Sequence, residues 1–247
     1  VALPENTSFC SRTAEMCGFN IAGPKSREIL QRLSNQDLSS KNWLFMRSGT
    51  LSIAGVSCLA LRVSFTGDLG WEIYCDTNQQ EIVYKTLVQE AVNEQGGPVG
   101  SRALMSLRIE KGYGSWSREY SPEIWPHECG LEKLCKLDKE FLNKAALSEN
   151  IKNAPRENLV LIHLNEDDCQ VSNADATGGE PIFKNGKGLG RVTSGAYGYS
   201  VGMSLALGYV KDVVPGDCVD VMVLGQPHRG KILKTPPFDP EGKILRS

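Results

Sequence analysis

Residues 180–198 read EPIFKNGKGLGRVTSGAYG, and this stretch decides what the second half of the chain is. Asn185-Gly186 stands between two runs of strand character, and Asn-Gly is the strongest short-range signal for a two-residue hairpin turn, because both of its central positions need positive φ. Gly186, Gly188 and Gly190 superficially resemble a phosphate-cradling glycine loop, but the spacing is wrong and no helical pattern follows, so a dinucleotide-binding βαβ unit is rejected.

Working outward from this hairpin, "LVLIHL" (159–164), "SLALGYV" (204–210) and "DCVDVMVLGQPHRGKILK" (217–234) are further short strands separated by glycine-rich turns. Short strands at this spacing predict a small barrel or sandwich. Before "KNAPREN" (152–158) the texture differs. Residues 18–33 read as a strand, a Gly-Pro turn with Pro24 at the first helical position, and a helix with Ile29, Leu30 and Leu33 inward. Residues 49–65 read as two strands around Gly55, the second buried on both faces. Residues 78–95 form an amphipathic helix with Ile82, Val83, Leu87, Val88, Ala91 and Val92 in one stripe. Residues 101–113 and 139–151 are helices, the former with Leu104, Leu107 and Met105 inward, and 116–138 is loop-rich. The last stretch, "TPPFDPEGKILRS", is expected to lie extended on the surface. The expected fold class is therefore α+β, with a boundary near 152–158: a mixed part over 1–151 and an all-β, barrel-like part over 152–247.

The 247 residues carry 27 Lys+Arg against 29 Asp+Glu, a formal net charge of −2, so no basic excess advertises a nucleic-acid surface. No apolar run approaches the ~20 residues of a membrane helix, and none is expected. The eight cysteines (Cys10, Cys17, Cys58, Cys75, Cys129, Cys135, Cys169 and Cys218) contain no C-x-x-C pair. His127, His163 and His228 are scattered. No metal site is expected, and the thiols read as small buried groups.

The stretch "SFTGDLGWEIY" (64–74) reads as strand, tight turn and strand, and sets Glu72 between Trp71 and Ile73. An unpaired carboxylate in an apolar element faces water or waits for a partner. Phe65, Trp71, Tyr113 and Trp116 are aromatics close to turns, and Arg108 and Glu110 are charges in an otherwise apolar helix. Such a set suits a flat heteroaromatic ligand: aromatic walls stack it, and a carboxylate accepts two parallel N–H donors from an amino-pyrimidinone edge. Arg108 and Glu110, two positions apart, do not face each other. No nucleophile elbow, P-loop or other autonomous catalytic constellation is present, and no catalytic residue is assigned.

Six stretches taken together are more specific than any of these signals: "IAGPKSREIL", "SFTGDLGWEIY", "RALMSLRIEKGYGSW", "PHECGLEKLCKLDKEFLNKAAL", "GEPIFKNGKGLGRVTSGAYGYSVGMSLALGYV" and "PPFDPEG". In this order, and over nearly the whole chain, they resemble the folate-dependent aminomethyltransferase family, which includes the glycine-cleavage T-protein and the C-terminal halves of dimethylglycine and sarcosine dehydrogenases. The resemblance implies the back portion of a folate-binding domain followed by a C-terminal β-barrel, with tetrahydrofolate as cofactor. It implies Glu72 as the carboxylate that holds the pterin edge, Phe65 where many members carry a tyrosine, and Tyr113 and Trp116 as pocket aromatics. Leu104-Met105 replace an Arg-Asp pair of the T-proteins and Lys133 replaces an aromatic. These departures and the closing "FDPEG" lean toward the dehydrogenase branch. The family's catalytic aspartate lies in an N-terminal segment that is not in this chain, so Val1 is expected to fall inside the folate-binding module and the chain alone is expected to have little activity. The resemblance further implies FAD in an upstream domain only, a small methylamine substrate, an electron-transfer partner for the full-length protein, no nucleic acid and no membrane. It implies a place in the choline-to-glycine route, in the mitochondrial matrix of a eukaryote or the cytoplasm of a bacterium. Two other family readings stand beside it: a non-catalytic module like the regulatory subunit of pyruvate dehydrogenase phosphatase, and a glycine-cleavage aminomethyltransferase.

Overall fold

The computed structural model describes residues 5–164 and 174–247, so Cys169 and Val1 lie outside the described residues. The chain divides into two compact units, residues 1–100 with 241–247, and residues 101–240. The change of texture near 152–158 marks where strands take over from helices; the compact units divide at residue 100, because the helices and loops of 101–157 go with the strands that follow.

The first unit is a four-stranded antiparallel sheet in the order β1-β4-β3-β2, built from Met16–Ala22 (β1), Ser48–Ile53 (β2), Val56–Leu61 (β3) and Gly70–Asp76 (β4). Helices Ser26–Leu33 (α1) and Gln80–Asn93 (α2) pack against β4. Alternation decides the faces: Trp71, Ile73 and Cys75 of β4 are buried in the core with Leu51, Ile53, Cys58 and Ala60, whereas Glu72 and Tyr74 point the other way and are half-buried. β3 alternates buried and exposed, so it is covered on one face only, contrary to the two-sided burial read from its sequence. The expected tight turn before Glu72 is a loop over residues 62–69. Gly67 takes φ +86° there, but Gly70 has no positive φ; a side chain on it would come within 2.8 Å of the Ile21 carbonyl oxygen, so its role is close backbone approach.

Helix α1 begins at Ser26 with Lys25 as its N-cap, so Pro24 precedes the first turn rather than occupying it. On α2 only Val83 and Leu87 are buried, while Ile82 and Val92 are exposed: the apolar stripe is broader than the face the sheet covers. The tail is not extended. Lys243–Arg246 form a short helix, α5, whose Leu245 is buried.

In the second unit, Asn158–Leu164 (β5), Pro181–Lys184 (β6), Lys187–Gly198 (β7), Met203–Val210 (β8), Cys218–Val223 (β9) and Gln226–Ile232 (β10) close into an antiparallel barrel in the order β10-β5-β8-β7-β6-β9. The expected hairpin turn is there, with Asn185 at φ 53° and Gly186 at φ 78°. Leu224-Gly225 makes an equivalent turn between β9 and β10, with φ 49° and 78°. Closure removes the free sheet edges and fills the interior with Ile162, Leu164, Ile182, Val192, Ala206, Val210, Val219, Val221, Val223 and Ile232. Each such Val, Leu or Ile contributes about 1.5–3 kcal/mol by leaving water. Helix Ser101–Glu110 (α3) packs on β7 and β8, and Lys144–Asn150 (α4) is shorter than the helix read over 139–151.

Candidate functional site

Glu72 lies in the middle of β4, opposite Asn20 of β1 and Leu61 of β3. Tyr74, two residues on and therefore on the same face, donates its Oη hydrogen to Glu72 Oε2 at 2.7 Å. That bond, with burial second, pushes the Tyr74 phenol up to about 12. Among the described residues this is the one side-chain hydrogen bond drawn to Glu72, and Oε1 takes none. Gly18 of β1 stands opposite Tyr74, and any β-carbon there would meet the ring at 2.9 Å. The ring therefore lies over bare backbone, which fixes the direction of its hydroxyl. Phe65 is half-buried in the 62–69 loop, which Ser64 Oγ and Thr66 Oγ1 brace at 3.0 Å.

Trp71 is not a pocket wall. It is fully buried, and Arg62 stacks on it at 4.6 Å from the ring centroid, with Arg27 at 5.6 Å. Arg62, itself fully buried, donates to the carbonyls of Gly70, Leu245 and Ser247 at 3.0–3.2 Å. Burial first, then the Arg27 charge, pulls its pKa down to about 10.

Tyr113 and Trp116 belong to the second unit. Tyr113 is half-buried just past α3, and its carbonyl accepts from Arg108 Nη1 at 2.8 Å. Trp116 is 70% exposed. Helix α3 does not turn Leu104, Met105 and Leu107 fully inward; its buried residues are Ser106, Arg108, Ile109 and Glu110. The reason is Glu119, which the sequence reading passed over because it sits in an irregular loop eleven residues from Arg108. Glu119 is fully buried and accepts from Arg108 Nη1 (3.0 Å), Ser115 N (2.8 Å), Ser115 Oγ (3.2 Å), Thr193 Oγ1 (2.6 Å) and Ser194 Oγ (2.5 Å). Burial alone would raise its pKa, but these donors outweigh it and hold the carboxyl below the ordinary range; burial lowers Arg108 against the pull of Glu119. Glu110 accepts from Ser200 N at 2.9 Å, so both helix charges serve the packing of α3 on the barrel.

A second acid, Glu128, grips Arg156 through both oxygens at 2.7 Å, and its pKa is held at about 2, chiefly by that hydrogen bonding. Both carboxyls are depressed, so the stability they supply is present above the ordinary glutamate value of 4.5 and is lost as pH falls through their folded-state values, about 2 for Glu128. Thermal unfolding from pH 6 to 2 is expected to show a midpoint flat above pH 5 and falling steeply below 4. Glu128→Gln flattens part of that fall; an equally steep profile in the variant contradicts the assignment.

Two family models match. Residues 2–139 match the GCVT N-terminal domain, and residues 158–239 match the glycine cleavage T-protein C-terminal barrel domain. The human mitochondrial dimethylglycine dehydrogenase is 34% identical over 228 residues, covering 91% of this chain and 26% of that protein. Mouse mitochondrial sarcosine dehydrogenase is 31% identical, with 92% and 25% covered. An aminomethyltransferase of Desulfitobacterium hafniense is 29% identical, with 92% and 60% covered. The crystal structure of the glycine cleavage system aminomethyltransferase T from Bartonella henselae superposes with a TM-score of 0.79 at 22% identity, over 91% of this chain and 60% of that one, and shares its fold. The chain thus spans about a quarter of the length of the dehydrogenases it matches.

Proposed function

The chain belongs to the glycine cleavage T-protein family, and on that premise we propose that it is the tetrahydrofolate-holding part of a flavin-dependent N-methyl amine dehydrogenase acting on dimethylglycine or sarcosine. The observation that carries this reading is the Glu72–Tyr74 pair. A carboxylate in the middle of a strand, on the face away from the core, has one oxygen fixed by a tyrosine and the other without a hydrogen-bond partner among the described residues. That donor set fits the amino-pyrimidinone edge of a pterin, which presents parallel N–H groups to a carboxylate.

Tetrahydrofolate, when bound, supplies the nitrogens that accept the one-carbon unit. The chain's own residues orient and hold. Glu72 accepts the pterin N–H groups, Tyr74 fixes the carboxylate so that little rotamer freedom remains to be lost on binding, and Phe65 of the same unit offers stacking surface; the family resemblance is the ground for proposing Tyr113 and Trp116 of the second unit as folate-binding aromatics. Arg108 and Glu119 keep α3 and the following loop in place. The methylamine and the flavin are assigned to the remainder of the parent protein, as is the electron-transfer partner. The 34% identity to a dimethylglycine dehydrogenase against 29% to an aminomethyltransferase supports the dehydrogenase branch. The mitochondrial names of the dehydrogenase relatives support a matrix location in a eukaryote.

A stable reduced folate at about a hundred times its Kd is expected to stabilise the chain by about 2.7 kcal/mol, read as an upward shift of the thermal midpoint. Glu72→Gln, which keeps the shape and loses one acceptor, is expected to abolish the shift, and Tyr74→Phe to reduce it. An undiminished shift in Glu72→Gln removes the role given to Glu72.

A further inference from the structure

We propose that Cys17 and Cys75 are a peroxide-sensitive thiol pair that closes into a disulfide across β1 and β4. The two residues are direct cross-strand partners, and their Sγ atoms lie 3.5 Å apart. Thr77 N donates to Glu15 O and Gly23 N to Leu69 O in the same register, so residues at even offsets from these pairs, Cys17 and Cys75 among them, occupy the hydrogen-bonded sites of the ladder. Cα atoms at such sites are about 5.5 Å apart, within the roughly 4.4–6.8 Å that a disulfide spans. Closing the link draws the two Cβ atoms, which stand wider at hydrogen-bonded sites than in a disulfide, locally together.

The pair also has an inside and an outside. Cys75 is 1% exposed, whereas Cys17 is only partly buried. Burial, then the hydrogen bond with Cys17, pushes the Cys75 thiol up to about 12, so Cys17 is the thiol that meets an oxidant first. A third thiol completes the row. The β3–β4 pairing ends at Leu59 opposite Tyr74, and the next residue of β3, the fully buried Cys58, hydrogen-bonds with Cys75 through its side chain. Cys58 is the internal competitor for Cys75.

The oxidant is a hydroperoxide. Cys17 Sγ attacks one peroxide oxygen, the O–O bond breaks, and a sulfenic acid and one water (or alcohol) result. Cys75 Sγ then attacks the Cys17 sulfur, the S–S bond forms, the S–O bond breaks, and the departing hydroxide takes the thiol proton as water. The link ties β1 to β4, the strand that carries Glu72, and is undone by a dithiol reductant.

The test is treatment of the reduced chain with hydrogen peroxide, followed by intact mass and a non-reducing peptide map. The expected product has lost two hydrogens, contains a Cys17–Cys75 cross-linked peptide pair, and unfolds at a higher temperature until dithiothreitol returns it to the starting value. Cys17→Ser is expected to give no link to Cys75, and Cys58→Ser to leave the link intact; Cys17→Ser removes a partly exposed thiol and keeps the fold, checked by circular dichroism. Oxidation of Cys17 to sulfinic acid without a link overturns the proposal, as does a Cys58–Cys75 link in its place, or linkage confined to the exposed Cys10 and Cys218.

Discussion

Glu119→Ala is expected to lower the stability of the second unit by about 3–5 kcal/mol, the usual cost of leaving one partner of a buried ion pair without the other. Arg108 and Glu119 are both fully buried. Removing the carboxylate strands a guanidinium whose Nε and Nη2 lack partners among the described residues, and it takes the acceptor from Ser115 and Ser194, while Thr193 keeps the Leu207 carbonyl. Glutamine keeps part of the site. Its carbonyl takes the place of Oε2, which accepts from Arg108 and Ser115, and its NH2 takes the place of Oε1, where the Thr193 and Ser194 hydroxyls turn to accept. Glu119→Gln loses the charge beside Arg108 and is therefore expected to fall between wild type and Glu119→Ala. The double change Arg108→Met with Glu119→Leu is expected to cost less than the sum of its singles, because it leaves no unpaired charge. Urea unfolding of the wild type, Glu119→Ala, Glu119→Gln, the double change and its two singles decides this, and a near-wild-type Glu119→Ala rejects the network as described.

Arg62→Ala is the corresponding change in the first unit, with an expected loss of about 3 kcal/mol or more. Its guanidinium caps the carbonyls of Gly70, Leu245 and Ser247 and covers the face of Trp71. The Ser247 carbonyl keeps Arg27 Nη2 at 2.6 Å, but a buried acceptor that loses its donor costs about 1–3 kcal/mol, and the lost stacking adds to that. Arg62→Met keeps the packing of the stem but not the donors. If the donors carry the effect, it falls near Arg62→Ala; if packing carries it, it falls near wild type. The C-terminal helix reports locally: its amides are expected to exchange with solvent faster in both variants, since Leu245 and Ser247 lose a partner.

The barrel was legible because its signals are local. Asn185-Gly186 needs positive φ wherever it stands, and the strands flanking it alternate or run apolar over the lengths barrels use. The face of Glu72 was half legible: strand alternation puts Glu72 and Tyr74 together and opposite to Trp71, a consequence the spacing holds without any long-range information. What could not be read was set by pairings between distant residues. Arg108 and Glu110 look solvent-bound on a helical wheel, and only Glu119 from an irregular loop and the backbone of Ser200 turn them inward. The terminal residues look like a polar tail, and the carbonyls that anchor them are bound by an arginine more than 180 positions earlier. The three thiols of one row stand at 17, 58 and 75, with nothing in their spacing to announce them.

Glu72 is the acceptor proposed for the pterin edge. The direct measurement is calorimetric titration of this chain and of its Glu72→Ala variant with a stable reduced folate, both first shown to be folded. The expected result is saturable binding by the wild-type chain and an affinity at least tenfold lower in the variant, about 1.4 kcal/mol or more. Equal affinities in the two proteins, or no binding by the folded wild type, contradict the role assigned to this carboxylate.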